Sequence, residues 1–578
     1  MNFGRTALSL SLVLSMSVGS FIASARAGLP ESPQTASDPY GFTSTLLKIN
    51  QLDQASRAEL FNVKNKKGES IFAAASAEQK DQWALLDPND DQVEGTSTNK
   101  LYKNNKISPD KNDVVVAVID TGVDIHHEDL KGHIWLNLPE FVGKLGVDDD
   151  NDGYIDDIYG WNFLGNQDGT SVAASTLEVT RIYKSLSAQI AAGQSLNVTD
   201  TALLAQVTQE YDQGLSEAQT GYALFQSYSA ALTLLKANGL KTETLAGLSA
   251  VTSNDPSVLQ ALQIAKIIFT TNKTSADVNQ ALVYFKTEID FNYSLTFDSS
   301  QIVKDNPAVM DDIGYGNGDV MGPDATHGTH VAGIIAANRQ NNIGINGQGL
   351  NVKIMSLRVV PNGDERDKDV ANAIHFAVDH GARIINMSFG KDFSPNKNYV
   401  DTAMKYAESM GVLIVHAAGN DGRDTSLHPH FPTRQISLSP GITRDIETWI
   451  EVGASDRTRG ANLPASFSNY GKTTVDVFAP GVGIVSTVPG NQYAALSGTS
   501  MAAPEVTGVA AILMEAYPNS TADEVKTSIL SSTNQYPGLS CNQPGKPASA
   551  IAFSDLSMSG GTVNANQAIQ RMQTATLR

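Results

Sequence analysis

Asp113-Val114-Val115-Val116-Ala117-Val118-Ile119-Asp120-Thr121-Gly122 holds an unbroken apolar run between two aspartates. A strand with one wet face alternates apolar and polar residues. This run does not, so both of its faces must be covered, as in a parallel sheet. Similar runs recur at 352–355, 383–387, 412–416 and 475–478. Helical stretches lie between several of them, at 330–338, 368–380 and 399–410. Strand and helix in alternation predict an α/β fold: a doubly wound, mostly parallel sheet flanked by helices. Asp120 then stands at the carboxyl end of its strand, where open α/β sheets carry their sites.

The 578 residues are 41% hydrophobic and 18% charged, the composition of a soluble globular protein. The net charge of -20 argues against nucleic acid, whose affinity rests on Lys and Arg. It fits a secreted protein or one that binds cations. Residues 1–27 read as a signal peptide: Arg5, a mostly apolar core over 7–22, then Ala25-Arg26-Ala27 with cleavage after Ala27. The core is short and broken by serines, which disfavours an uncleaved anchor. No later segment is apolar for long enough to span a membrane, so the expected location is secreted or periplasmic. The single cysteine, Cys541, permits no internal disulfide. Asn, Gln, Gly and Pro surround it, with no base nearby, so it is not expected to be a catalytic thiol.

Residues 28–95 form a polar N-terminal segment, whose length allows either a propeptide or a permanent part of the enzyme, with a helix-like stretch near 43–61. The sheet domain is expected over 96–171 and 298–578, interrupted by a helical insertion at 172–297. In that insertion Leu204, Val207, Tyr211 and Leu215 recur at helical spacing. Asp255-Pro256 reads as an N-cap and first helical residue opening 258–269, with Leu259, Leu262 and Lys266 interleaved. Ser275 can cap a further helix to Phe285. The insertion can be a substrate lid or partner surface, or else a bulky decoration, and the last reading is favoured.

Two further blocks join the Asp120 block: His327-Gly328-Thr329-His330-Val331-Ala332-Gly333 and Gly498-Thr499-Ser500-Met501-Ala502-Ala503-Pro504. A serine hydroxyl is a weak nucleophile until a base takes its proton. Histidine can take that proton and return it to the leaving amine. A buried carboxylate fixes the imidazole tautomer and stabilises the imidazolium. His327 opens an apolar helix, whose dipole disfavours the charged ring. Ser500 opens a small-residue helix, where its N–H can face an oxyanion. His330 is expected to be structural, and His126 and His127 lack the following glycines and helix. Aspartic proteases also use Asp-Thr-Gly, but in pairs, and this chain has one.

In the order Asp, His, Ser, the blocks resemble the subtilisin-like serine proteases, the subtilase family. Chymotrypsin-like enzymes and α/β-hydrolases run in other orders. The likeness covers 114–163 and 314–517. It includes Ala479-Pro480-Gly481-Val482 and Ser486-Thr487-Val488-Pro489-Gly490 before Ser500, and Gly561-Thr562-Val563-Asn564-Ala565 near the end. It implies a secreted serine endopeptidase with Asp120, His327 and Ser500 as its triad. Val415-His416-Ala417-Ala418-Gly419-Asn420 matches the strand that ends in the oxyanion-hole asparagine, so Asn420 is assigned as a donor. Asn386-Met387-Ser388-Phe389-Gly390 resembles the segment that pairs with an extended peptide. The substrate-binding residues implied are Ser388, Phe389, Gly390, Ala417, Ala418 and Gly419, with an apolar first pocket. Glu505 departs from the family's histidine, but in a first helical turn, where a carboxylate is favourable. The long gap from Asp120 to His327 is filled by the insertion. Two other readings remain open: a processing protease gated by the insertion, and a non-catalytic peptide-binding protein on the same fold.

The loop Asp148-Asp149-Asp150-Asn151-Asp152-Gly153-Tyr154-Ile155-Asp156-Asp157 places oxygens at alternate positions. Calcium takes six to eight hard oxygens. Asp148, Asp150, Asp152, the Tyr154 carbonyl and Asp156 are the expected ligands of a structural calcium ion. Tyr159 stands where an EF-hand loop has glutamate. Asp311-Asp312 is a weaker candidate. No organic cofactor is expected.

Overall fold

The computed structural model describes residues 40–50, 63–65, 81–105, 107, 113–310, 312–439 and 441–576. The signal-peptide reading, the part of the 43–61 stretch beyond Asn50, and Asp311 lie outside them. The chain divides into two compact units, Ala74–Glu178 with Asp298–Arg578, and Met1–Ala73 with Val179–Phe297.

The strands of the first unit are β1 Val114–Asp120, β2 Gly160–Asn162, β3 Val352–Arg358, β4 Ile384–Met387, β5 Leu413–Ala417, β6 Gln435–Ser439, β7 Ile442–Asp445, β8 Trp449–Ser455, β9 Val477–Pro480, β10 Ile484–Val488, β11 Gln492–Leu496, β12 Asn534–Gln535, β13 Ser540–Gln543, β14 Lys546–Ala552 and β15 Gly561–Thr562. A nine-stranded sheet runs β12-β15-β9-β8-β5-β4-β1-β3-β2. Every neighbouring pair is parallel except β12 with β15. The remaining strands form three hairpins, β6-β7, β10-β11 and β13-β14.

The alternation of side chains along a strand explains the continuous apolar runs. Val116, Val118, Val415 and Val452 point to one face, with the helices Thr326–Ala336 and Thr499–Ala516. Ala117, Ile119, Ile414 and Trp449 point to the other, with Asp367–Asp379 and Lys397–Ser409. The sheet is doubly wound, as expected. Strand order reverses at β1, which lies between β3 and β4, so a crevice opens beyond its carboxyl end. Residues 81–105 belong to this core, with Trp83 and Leu101 buried in the same cluster as β1.

The other unit is helical. Its helix Val198–Ala237 buries Val207, Tyr211, Phe225, Tyr228 and Leu235. Gly214 and Gly221 let other parts of the unit approach: a Cβ there would overlap the rings of Tyr293 and Phe285. Asp255 caps Pro256–Thr270 by accepting from Ser257 N–H at 2.8 Å, as predicted. The buried face of that helix is Val258, Ala261, Ile264, Ala265 and Ile268, while Leu259 faces outward. Thr274, not Ser275, caps Ser275–Thr287, because Asp277 three residues on completes a capping box with it. Helix Phe42–Asn50 belongs here too: Phe42, Leu46 and Ile49 are buried, and Thr45 Oγ1 donates to Ser227 Oγ at 2.9 Å.

Candidate active site

Asp120 closes β1 and turns the chain through Thr121 and Gly122. Its Oδ1 accepts the Thr121 N–H at 2.7 Å and lies 2.6 Å from His327 Nδ1. A carboxylate oxygen there places the ring proton on Nδ1 and leaves Nε2 as the acceptor. The contact requires helix Thr326–Ala336 to approach the turn closely, and Gly328 permits it. A Cβ on Gly328 would lie 2.1 Å from the Gly122 carbonyl oxygen. Gly122 itself has φ +116°, which other residues rarely adopt. Arg358, buried at the end of β3, braces the turn by donating from Nε to Thr121 O at 2.9 Å and from Nη1 to Asn162 Oδ1 at 2.9 Å. Burial pulls its pKa down to about 10. Sequence reading missed Arg358, although an arginine closing an apolar strand is an anomaly that could have been followed.

Ser500 is the second residue of helix Thr499–Ala516. That helix begins five residues before Pro504, so Pro504 lies inside it. Proline has no N–H to offer the carbonyl four residues back, which is that of Ser500. The Ser388 hydroxyl fills the vacancy, donating to Ser500 O at 3.0 Å. In return the Ser500 hydroxyl donates to Ser388 O at 3.1 Å. Asn386 Nδ2 donates to Ser388 Oγ at 2.9 Å, and Thr507 Oγ1 to Asn386 Oδ1 at 2.8 Å, tying β4 to the helix. The same helix start corrects the reading of Glu505: it sits in the second turn, fully buried, and receives a hydrogen bond from Gln348. Burial pushes its pKa up to about 8, so it is a neutral acid rather than a dipole partner.

Asn420 follows β5 and is held through its oxygen: Oδ1 accepts Thr499 N–H at 2.8 Å and Thr499 Oγ1 at 3.1 Å. That turns the amide nitrogen toward Ser500. A Cβ placed on Gly498 would lie 3.5 Å from Asn420 Nδ2, 3.5 Å from Ser500 N and 3.7 Å from Ser500 Cβ. Two N–H donors therefore flank one point beside the hydroxyl-bearing carbon, and glycine leaves that point open. His330 is structural, its Nε2 facing Ile484 O at 3.0 Å and Ala494 O at 3.1 Å. So is His127, which accepts Asp129 N–H at 3.1 Å.

Of the expected substrate-binding residues, Ser388 meets Ser500 as described. The Phe389 ring and the Ala417 and Ala418 methyls are packed into apolar clusters. Gly390 and Gly419 converge on a residue the sequence did not flag, His430. Cβ atoms on them would lie 2.3 Å from its Nε2 and 3.2 Å from its Cδ2. Burial and then the neighbouring His416 push the His430 pKa down to about 4, so its ring is neutral near pH 7.

The acidic loop gathers differently from its spacing. Asp148 accepts the N–H groups of Asp152 at 3.2 Å and Gly153 at 3.0 Å, and Asp156 accepts that of Gly146 at 2.8 Å. The Tyr154 ring is buried against Trp161 and Phe376. Asp150 and Asp152 converge with His380, and Asp150 converges with Glu140 and Asp157. Asn137 Nδ2 bridges Asp150 Oδ2 at 2.9 Å and Asp157 Oδ1 at 2.8 Å. Asp157 is 0% exposed, and its Oδ2 accepts no hydrogen bond among the described residues. Burial, and then the Asp152 and Asp150 charges, push its pKa up to about 7 against the pull of Asn137 and His380. His380 Nε2 lies 2.7 Å from Asp152 Oδ2. Cys541 is buried, and burial pushes its thiol up to about 11, so it is inert.

A family model described as the subtilase family matches residues 111–546. The chain is 45% identical over 188 residues to "Thermophilic serine proteinase" of Bacillus sp. (strain AK1), covering 32% of this chain and 42% of that protein. It is 37% identical over 204 residues to "Thermostable alkaline protease" of Halalkalibacterium halodurans, covering 35% and 51%. It is 36% identical over 213 residues to "Thermitase" of Thermoactinomyces vulgaris, covering 37% and 68%. The chain thus spans about half the length of the first two of these relatives.

Proposed function

The chain belongs to the subtilase family, and on that premise we propose that it is a secreted serine endopeptidase working through an acyl-enzyme. Ser500 Oγ attacks the peptide carbonyl carbon as His327 Nε2 takes its proton. For that the hydroxyl must leave the Ser388 carbonyl, on which it rests, and turn toward His327. Asp120 keeps the proton on Nδ1 and stabilises the imidazolium. Asn420 Nδ2 and the Ser500 N–H hold the oxyanion. His327 then protonates the leaving amine, and water repeats the sequence on the ester. The observation that carries this reading is the 2.6 Å contact between His327 Nδ1 and Asp120 Oδ1. It joins residues that lie far apart in the chain, and a carboxylate so placed favours the tautomer the chemistry needs.

Substrates are peptides bound extended along Ser388-Phe389-Gly390, with Gly390, Gly419 and His430 shaping the first pocket. Ser500→Ala should abolish both cleavage and covalent labelling by a fluorophosphonate. Labelling mapped to another serine, or activity left in the variant, would refute the assignment.

We further propose that the acidic loop holds a structural calcium ion, whose charge would offset the crowded carboxylates. Asp157 Oδ2, which accepts no hydrogen bond among the described residues and lies 3.5 Å from His380 Nε2, supports the fit. Asp150, common to both convergent groups, and Asp157 are better placed to hold it than Asp148, Asp156 and Glu140, which serve the loop's own backbone. The secreted or periplasmic location rests on the signal reading of residues 1–27, which the N-terminal mass of the purified protein tests. Among the described residues no helix is long and apolar enough to cross a membrane.

A further inference from the structure

His416 has no part in the chemistry above, yet it is buried behind the substrate-binding segment. On β5 it stands opposite Glu451 of β8 in the parallel register, and both side chains are buried. Its Nδ1 is 3.0 Å from Glu451 Oε1, and its Nε2 is 2.9 Å from the Phe389 carbonyl oxygen. A carbonyl oxygen can only accept, so Nε2 carries hydrogen; an ionised carboxylate can only accept, so Nδ1 carries one too. Glu451 Oε2 is also an acceptor, taking the Trp449 indole N–H at 2.8 Å. The Glu451 N–H donates to Asp476 at 2.7 Å, and Asp476 pairs with Arg434. The other titratable ring at hand is His430, 5.9 Å away, whose pKa burial first and the neighbouring His416 second push down.

Successive carbonyls of an extended segment face opposite edges. The Phe389 carbonyl faces His416, and that of Ser388 faces Ser500. The two neighbouring carbonyls are held by different partners, so pinning the first bears on the direction of the second.

We propose that the His416–Glu451 ion pair is a positioning device for the peptide-binding segment. The imidazolium holds the Phe389 carbonyl from behind through a charge-assisted hydrogen bond, so that Ser388 and Gly390 present their backbone groups to the substrate. The proposal rests on the endopeptidase reading. His416 touches no reacting atom and acts through Phe389, so its loss should weaken peptide binding while sparing the chemistry at Ser500.

Two measurements test it on the full chain. In protein labelled with 15N-histidine, the His416 signal, identified by its loss in His416→Gln, should show both ring nitrogens protonated at neutral pH. A neutral ring overturns the proposal. In kinetics on an oligopeptide, His416→Ala should raise KM about tenfold, the scale of one lost hydrogen bond to a charged group. Its kcat and its fluorophosphonate labelling rate should stay near those of the parent. Glu451→Gln leaves a neutral ring that still donates from Nε2 to Phe389 but without the assisting charge, and its KM should fall between those of the parent and His416→Ala. A buried pair with only a structural role would show no such split between the two variants. An unchanged KM in folded His416→Ala sinks the idea. A parent protein that neither labels nor cleaves fails the endopeptidase reading instead, whatever the state of the ring.

Discussion

Pro504 shows how one residue can arrange a proposed reaction centre it does not join. By withholding an N–H it frees the Ser500 carbonyl for Ser388, and the two serines clasp across the site. Asn420 is placed with similar economy: its oxygen is spent on Thr499, so only the amide hydrogens face the open point beside Gly498. Asn420→Ala should therefore lower kcat by about a hundred- to a thousandfold, the usual cost of one oxyanion donor, with KM little changed. A KM effect of that size would make it a ground-state contact instead. Glu505 yields a prediction about stability. Its carboxyl rises from an ordinary 4.5 to about 8, beside a cavity of about 20 Å³ lined by Trp83, Ile334 and Ile484. Between those values the folded chain keeps a proton that the unfolded chain releases. The stabilisation is whole below pH 4.5 and is lost as pH rises through 8, at about 1.4 kcal/mol per unit for one proton. Glu505→Gln has no such proton. The stability of the parent relative to this variant, from denaturant melts, should fall steadily from pH 5 to 8. A difference independent of pH would mean the carboxyl is ionised in the fold.

At the scale of elements, the acidic loop separates what a sequence can disclose from what it cannot. Its carboxylates were plain in the residue order, and so was the repulsion they would suffer. The sequence could not disclose which oxygens the loop's own backbone would consume. Asp148, Asp156 and Glu140, the last from the short helix before the loop, are taken by the loop's N–H groups, while His380, at the end of a distant helix, comes in from outside. The strand and helix elements were legible because burial on two faces writes itself as unbroken apolar runs. The proposed triad and Asn420 were legible as candidates because each sits in a local pattern of its own. Arg358, His430 and His416 were not, because each matters only through partners far along the chain. Calcium should raise the melting temperature, by an amount equivalent to about 2.7 kcal/mol at a hundredfold excess over Kd. A chelator should reverse the gain. Asp157→Asn should shrink the response to calcium, and an undiminished response would place the ion elsewhere.

The two units of the whole molecule divide the N-terminal segment between them, which bears on what a mature enzyme can shed. Helix Phe42–Asn50 is part of the helical unit's core. Residues 81–105 are part of the sheet unit's: Trp83 is 2% exposed, and Glu94 receives Arg459 Nε at 2.8 Å and the Tyr536 hydroxyl at 2.6 Å. The expectation of one removable segment, 28–95, would strip both. A chain beginning at residue 81 should keep the sheet unit's calorimetric transition and lower that of the helical unit, which loses the burial of Phe42, Leu46 and Ile49. A chain beginning at residue 96 should also destabilise the sheet unit by at least about 3–5 kcal/mol, the scale of deleting a buried tryptophan. The two truncations therefore act on different transitions, and the active enzyme's own N-terminus should lie before Trp83. A chain from residue 96 with an unshifted sheet transition would show that Trp83 only covers a surface that is stable without it.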